Sequence, residues 1–325
     1  MHSVQEIKDD ERLQCTSLLW FIQRQFNGTE LGRFIKNASV QGRLPSALYS
    51  SPDDILFLSL SALSTERRSS LEKDMFKVFS EHSPNNLLSR ADIECLIQRQ
   101  LPADFPLVLR FRGEPEILKR RTVAIVGSRH PTFYGRQQAA HFARAFAENG
   151  LCVLSGAAIG IDTVANISSH QFGLSAAVLG SGLMTPYPRS NIPLINSMAV
   201  SGRGLILSEF GDFQRAEKWN FPKRNRIIAS LCDFLLVIEA ALGSGTLITA
   251  HLAAEYGTDV GALPGPVHSP NSQGSNQLIK EGAFCVERPE EILERFVNLS
   301  HQREQNRETT ENESKFYRPT LPSLF

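Results

Sequence analysis

A chain of 325 residues that is 42% hydrophobic can bury a sizeable core and reads as more than one domain. Its 34 Lys and Arg balance its 34 Asp and Glu, so net charge does not advertise a nucleic-acid partner and any anion site must be local. No apolar run of about 18 residues occurs, and the polar stretch Gln5 to Arg12 has no signal-peptide pattern, so a cytoplasmic protein with no membrane contact is expected.

Residues 4 to about 100 carry helical periodicity, first in Ile7, Leu18, Leu19 and Ile22, then in Leu56, Leu58 and Leu60, then in Leu71, Phe76 and Phe79. An all-helical N-terminal domain is expected over 1–100. A connecting segment follows at 101–121, where Pro102, Pro106 and Pro115 interrupt any helix. From 122 onward, short runs rich in Val, Ile and Leu alternate with helix-length segments. The runs are Val123–Val126, Leu151–Leu154, Ala176–Leu179, Leu205–Leu207, Phe234–Ile238 and Val260–Leu263. That alternation predicts an α/β core over 122–297, a Rossmann-like, doubly wound and mainly parallel sheet with helices on both faces. Such a sheet binds ligands beyond the carboxyl ends of its strands. Past about Val297 the run His301 to Lys315 has a disordered composition, and an apolar tip, Phe316 to Phe325, ends the tail 298–325.

Nearly every predicted strand ends in glycine or small polar residues: Gly127-Ser128-Arg129, Ser155-Gly156 to Gly160, Gly180-Ser-Gly182, Ser208-Glu209, Glu239 to Gly243-Ser244-Gly245-Thr246, and Pro264-Gly265. Glycine lets backbone amides approach an anion, and a helix N-terminus adds partial positive charge. A second cationic cluster, Phe221-Pro-Lys223-Arg224-Asn225-Arg226-Ile-Ile228, stands at the mouth of another predicted helix. Both stretches are built to hold phosphate. The dinucleotide pattern Gly-x-Gly-x-x-Gly does not follow the first strand, and neither the phosphate-loop pattern ending in Gly-Lys-Ser/Thr nor the Gly-x-Ser-x-Gly elbow occurs. Eight scattered histidines make no metal site at ligand spacing, so neither a metal nor a cofactor is expected. Cys15, Cys95, Cys152, Cys232 and Cys285 are far apart and read as reduced, partly buried thiols.

In order and spacing, these strings resemble the DNA-processing protein A (DprA/Smf) family over Val123 to Val286. The resemblance is carried by Val-Gly-Ser-Arg129 with Tyr134-Gly135, by Ser155-Gly156 to Gly160-Ile-Asp162, and by Val-Leu-Gly-Ser-Gly182 with Tyr187-Pro188 and Asn191. Leu-Ser-Glu209, Phe221 to Ala229, Val237-Ile-Glu239, Ser244 to Ala250, Pro264-Gly265 and Gly274-Ser-Asn276 continue it. The family implies binding of single-stranded DNA, loading of the RecA recombinase during natural transformation and recombination, and a homodimer. It also implies that Arg129, Arg224 and Arg226 contact phosphates, with Lys223 nearby and Arg189 in the same pocket. Backbone amides of Gly127, Ser128, Ser155, Gly156 and Gly160, and of Gly243, Ser244, Gly245 and Thr246, back them. Asn225 is counted with the phosphate-binding residues, although it and Asn191 are expected to hold loops rather than touch bases, and Tyr134 and Trp219, in polar surroundings, are candidates for base stacking. About five neutralised phosphates predict a log–log salt slope near −3.5 for single strands.

Two departures from the family pattern, Ile159 in place of Arg and Asn166 in place of His, are expected to retune the second loop's share of the pocket. Many relatives continue into a winged-helix domain. Here Leu321–Phe325 instead suits a docking peptide, for a sliding clamp or another partner, or a segment that folds back on the core. The core also resembles the lysine-decarboxylase-like phosphoribohydrolases, whose Pro-Gly-Gly-x-Gly-Thr-x-x-Glu corresponds to Ala241 to Thr249. Thr249 takes the place of their catalytic carboxylate and cannot serve as a general acid or base, so no enzyme is expected. The alternatives are a nucleotide-binding sensor or a nucleoside-monophosphate phosphoribohydrolase-like enzyme on the same fold. Asp162, Glu209, Glu239 and Glu255 are read as structural carboxylates, capping helices or pairing with Arg224 and Arg226.

Overall fold

The computed structural model describes residues 86–297 without a break and, before them, positions 16, 18–26, 30, 31, 33, 34, 55, 59, 62–64 and 67. The tail at 298–325 with its docking tip lies outside the described residues, as do Cys15 and most of the helical periodicity before 86.

In chain order the elements are β1 (Leu87–Ser89), α1 (Arg90–Ile97), β2 (Val108–Gly113), β3 (Thr122–Val126), α2 (Phe133–Glu148), β4 (Cys152–Ser155), α3 (Ile161–Phe172) and β5 (Leu174–Leu179). Then come α4 (Ile192–Val200), β6 (Gly204–Ser208), α5 (Asn220–Leu231), β7 (Phe234–Val237), α6 (Gly245–Glu255), β8 (Asp259–Ala262), α7 (Pro270–Lys280) and β9 (Phe284–Cys285). One nine-stranded sheet results, in the order β1-β2-β6-β5-β4-β3-β7-β8-β9. Strands β3 to β9 pair in parallel, while β1 and β2 extend the far edge antiparallel to their neighbours.

The apolar runs become central strands because both of their faces are covered. Alternate residues point to opposite sides, so Ala124 and Val126 pack with Ile227 and Ile228 of α5, while Val123 and Ile125 pack with Phe142 and Phe146 of α2. Phe142 is fully buried there, and its truncation to Ala should cost about 3–5 kcal/mol. From β3 the chain builds β4, β5 and β6 outward on one side, then returns to place β7 on the other side of β3. That reversal makes a crevice beyond the carboxyl ends of β3 and β7.

Strand reading and structure agree on β3 to β8 to within a few residues. The sheet itself begins earlier than 122. Strand β1 falls in the stretch read as helical, and β2 in the one read as a connecting segment. Three residues, Leu87–Ser89, are too few to outweigh helical neighbours in a periodicity window. In β2, Arg110 and Arg112 alternate with Phe111 between flanking prolines, a half-exposed pattern unlike the buried central runs. The described part of the N-terminal region packs on this edge. Leu18, Leu19, Ile22 and Phe26 bury against Leu87, Leu107 and Val108, and the Gln23 amide closes on the Val108 backbone, donating to its carbonyl and accepting from its N–H, each at 3.0 Å.

Candidate nucleic-acid interface

A cavity of about 560 Å³ occupies the crevice, walled by the loops after β3, β4 and β7 and by the first turns of α5 and α6. Its centre is the Gly127-Ser128-Arg129 loop, which is clamped from two sides. Thr246 Oγ1 donates to the Gly127 carbonyl at 3.1 Å, and the Ile161 N–H donates to the Ser128 carbonyl at 3.1 Å. Gly160 makes the second contact possible: its φ is +90°, and any Cβ there would strike the Ser128 carbonyl.

Arg129 is exposed on the rim, with its guanidinium 4.9 Å from the centre of the Phe221 ring. The ring holds the side chain over the cavity without using up its hydrogen-bond donors. Lys218, also exposed, lines the cavity too. Arg224 differs in kind. It is only 4% exposed and donates from Nη1 to the carbonyls of Val178, at 2.7 Å, and of Gly156. Asp162 faces it and accepts the N–H groups of Gly156 at 3.1 Å and Ala158 at 3.3 Å. Burial lowers the Arg224 guanidinium to about 10, opposed by Asp162, which leaves it charged at neutral pH. Burial likewise pushes the Asp162 carboxyl up, opposed by Arg224 and the two amides. Gly156 is glycine because a side chain would strike both Arg224 and Asp162. Arg224 is thus the floor of the cavity, with its charge already matched.

Arg226 leaves the opposite side of α5. It pairs with Glu209 and donates to the Asp104 carbonyl, and Tyr256 closes the same network on Asp104 Oδ2 at 2.6 Å. Arg226, Lys223 and Arg189 do not line the cavity. Lys223 and Arg189 are exposed, the latter on the short turn Arg189–Asn191 that follows a cis Tyr187–Pro188 bond. Ser155 is buried and donates to the Ile125 carbonyl at 2.7 Å, tying β4 to β3 rather than facing a ligand.

The two asparagines hold loops. Asn225 accepts from Arg224 Nε at 3.1 Å and donates to the Gly245 carbonyl at 3.4 Å. Asn191 donates to the Ala157 carbonyl at 2.9 Å and to Thr163 Oγ1 at 2.7 Å, which steadies Ala157 at a φ of +50°. Gly243, at a φ of +68°, turns the chain into α6. Ser244 stands at that helix's N-cap with its buried Oγ unpartnered among the described residues, and Gly245 and Thr246 open the helix onto the cavity. Tyr134 and Trp219 are both exposed, on the first turn of α2 and at the N-cap of α5. Burial and then Glu239 push the Tyr134 hydroxyl up.

Of the four carboxylates, Asp162, Glu209 and Glu239 have partners; Glu255 is exposed on α6 with no hydrogen bond or ion pair among the described residues, so its reading as a helix cap or Arg partner is corrected. Glu239 accepts from the Thr132 N–H at 2.9 Å and Oγ1 at 2.5 Å at the start of α2, and Glu209 holds Arg226. Thr249 returns its hydroxyl to the Gly245 carbonyl at 3.2 Å. The expectation that both departures retune the pocket is corrected for Asn166. Its side chain is buried under the sheet, donating to the Ala176 carbonyl at 3.0 Å and to Ser175 Oγ at 3.1 Å, so it joins α3 to β5 and does not meet the cavity. Ile159 stays exposed on the second loop. Lys218 was missed from the sequence, where a single Lys in the polar run Arg215 to Trp219 looks like any solvated charge.

Residues 93–297 match the family described as DNA recombination-mediator protein A. The chain belongs to that family. Smf of Escherichia coli is 44% identical to it over 213 residues, which span 65% of this chain and 57% of the relative. The Bacillus subtilis DNA processing protein DprA is 37% identical over 193 residues, 59% of this chain and 64% of the relative. The chain therefore matches less than two thirds of the length of these two members of the recombination-mediator family. The X-ray structure of DNA processing protein A from Streptococcus pneumoniae superposes with a TM-score of 0.67 at 30% identity, covering 85% of this chain and 95% of that one. The Helicobacter pylori protein, described for its single-stranded DNA binding mode, superposes with a TM-score of 0.56 at 29% identity, covering 62% of this chain and 94% of that one. Among the described residues no helix is long and apolar enough to cross a membrane.

Proposed function

We propose that this protein holds single-stranded DNA across the carboxyl edge of its parallel sheet and, as a homodimer, hands it to the RecA recombinase in the cytoplasm. The observation that carries the reading is the switch-point cavity. Its rim cations, Arg129 and Lys218, are exposed, while its nearby carboxylates are tied to amides, to Arg224 or to a helix start. A phosphate at Arg129 would also meet the opening of α6, where the Ser244 hydroxyl has no partner among the described residues. Arg189 and Lys223 extend the track outside the cavity, and Arg224 and Arg226 position it from below and behind. Binding without catalysis fits Thr249 at the wall, a side chain that cannot move protons near neutral pH. The folding unit that performs this task begins no later than β1, since its sheet does.

Fluorescence anisotropy tests the reading, with a labelled single strand of about 30 nucleotides titrated against its duplex and against AMP. Strand-selective binding that weakens with salt and with Arg129→Ala is expected. A cavity of about 560 Å³ is also wide enough for one free nucleotide. Saturable AMP binding beside weak strand binding would therefore overturn the proposal in favour of a nucleotide sensor.

A further inference from the structure

Exposed aromatic side chains are distributed unevenly along the carboxyl edge of the sheet. The central loop after β3 and the turn that follows it carry Phe133 and Tyr134. On one flank the loops after β5 and β6 present Tyr187, Phe213 and Trp219, which are 51%, 78% and 62% exposed. On the other flank, the large exposed apolar side chains of the loops after β7 and β8 are aliphatic, Leu242 and Val267. Cations divide the same way. From Ile227 to Ile279 the sequence has no Lys or Arg, so the loops after β7 and β8 carry neither, while those after β5 and β6 bring Arg189, Arg215 and Lys218.

The aromatic flank is also pinned. The Gly182 N–H donates to the Gln214 carbonyl at 2.8 Å and the Met184 N–H to the Asp212 carbonyl at 3.0 Å, which zips the β5 loop to the β6 loop. Asn220 Nδ2 adds a bond to the Gly180 carbonyl at 3.1 Å. A Cβ at Gly182 would strike the Gly211 and Asp212 carbonyls, so the two backbones touch. Rings carried on such a double loop meet a ligand with little loop ordering left to lose.

We propose that a single strand leaving the switch-point cavity runs over the β6–α5 loop, stacking bases on Trp219 and Phe213 while Lys218 and Arg215 meet the adjoining phosphates, and that it avoids the β7–β8 flank. The path rests on the single-strand reading above and is continuous with it, because Lys218 lines the cavity and Trp219 is the next residue. A duplex hides its base faces, so this platform adds affinity for single strands alone.

The test uses the full chain with a labelled oligothymidylate of about 15 nucleotides and a dinucleotide small enough for the cavity alone. The expected result has three parts. The long strand quenches the part of the tryptophan emission that Trp219→Leu removes. Phe213→Leu/Trp219→Leu weakens the long strand by roughly tenfold or more per ring and leaves the dinucleotide unchanged. Leu242→Ser/Val267→Ser changes neither. A Phe213→Leu/Trp219→Leu protein that binds the long strand as tightly as wild type overturns the path, whether or not it loses self-association, and so does a loss confined to Leu242→Ser/Val267→Ser. Arg129→Ala separates the two levels of the argument: it should weaken both oligonucleotides, and if it weakens neither, the site itself is wrong and the path with it.

Discussion

Removing Arg224 should damage the fold, whereas removing Arg129 should damage only binding. Arg224 lies under the cavity with its Nη1 shared between the Gly156 and Val178 carbonyls and its charge opposed by buried Asp162. Arg224→Ala leaves that carboxylate unpaired in a buried site, a loss of about 3–5 kcal/mol. At about 2–4 °C per kcal/mol for a domain of this size, melting should fall by roughly 6–20 °C. Arg129 is exposed and held mainly by the Phe221 ring at 4.9 Å, a contact of about 0.5–1 kcal/mol. Arg129→Ala should therefore lower melting by no more than about 4 °C. Its effect on strand affinity should be roughly ten- to a hundredfold, the loss of one hydrogen bond to a charged group. Thermal melts beside anisotropy titrations read both quantities on the same samples. Arg224→Met/Asp162→Asn, which removes both charges, should melt above Arg224→Ala. An Arg224→Ala protein that melts like wild type, or an Arg129→Ala protein that melts as low as Arg224→Ala, would refute the division of labour between floor and rim.

Gly160→Ala should cost on the order of 1–3 kcal/mol from backbone strain, more with the blocked Ser128 contact, and calorimetry should show it as a clear drop in melting temperature. With Arg224 and Arg226 already paired, the salt slope for a long strand should come from Arg129, Arg189, Arg215, Lys218 and Lys223, about five contacts at −0.7 each or near −3.5; a slope as steep as −5 would show that cations elsewhere carry the binding. Burial pushes the Cys152 and Cys232 thiols up to about 12, so at pH 8 only about one in ten thousand of either is ionised. A thiol reagent should label exposed Cys95 and Cys285 in the native protein and reach Cys152 and Cys232 only on unfolding. Those buried thiols keep their protons in the native state between their ordinary value of 9.0 and about 12, so stability should fall as pH rises through that window, and Cys152→Ala/Cys232→Ala should flatten the decline. Gln23→Ala should loosen the N-terminal helical segment from β2, seen as faster hydrogen exchange at the Val108 amide.

The strand runs and the small residues closing them were legible because a buried parallel strand needs uninterrupted apolar residues, and an anion-binding loop needs close backbone approach. From those, the core sheet, the position of Gly127-Ser128-Arg129 at the end of the first core strand and the family followed from the sequence. The loop-holding roles of Asn191 and Asn225 and the structural use of Glu209 and Glu239 were also readable, since short polar side chains among strand ends find backbone partners first. Strands β1, β2 and β9 were not readable, because two- or three-residue strands and a half-exposed edge carry too little periodicity of their own.

The types of residue at the crevice were set by the sequence alone, but not which cations stand free at its rim. Arg224 and Arg226 look alike in Lys223-Arg224-Asn225-Arg226, yet residues two apart on a helix point to different sides. Packing of α5 against the sheet sends the first under the cavity to Asp162 and the second outward to Glu209. Lys218, unremarkable in sequence, reaches the rim because it stands two residues before α5, whose first turn walls the cavity. Side-chain chemistry is written residue by residue; burial and charge pairing depend on neighbours that only the tertiary fold brings together.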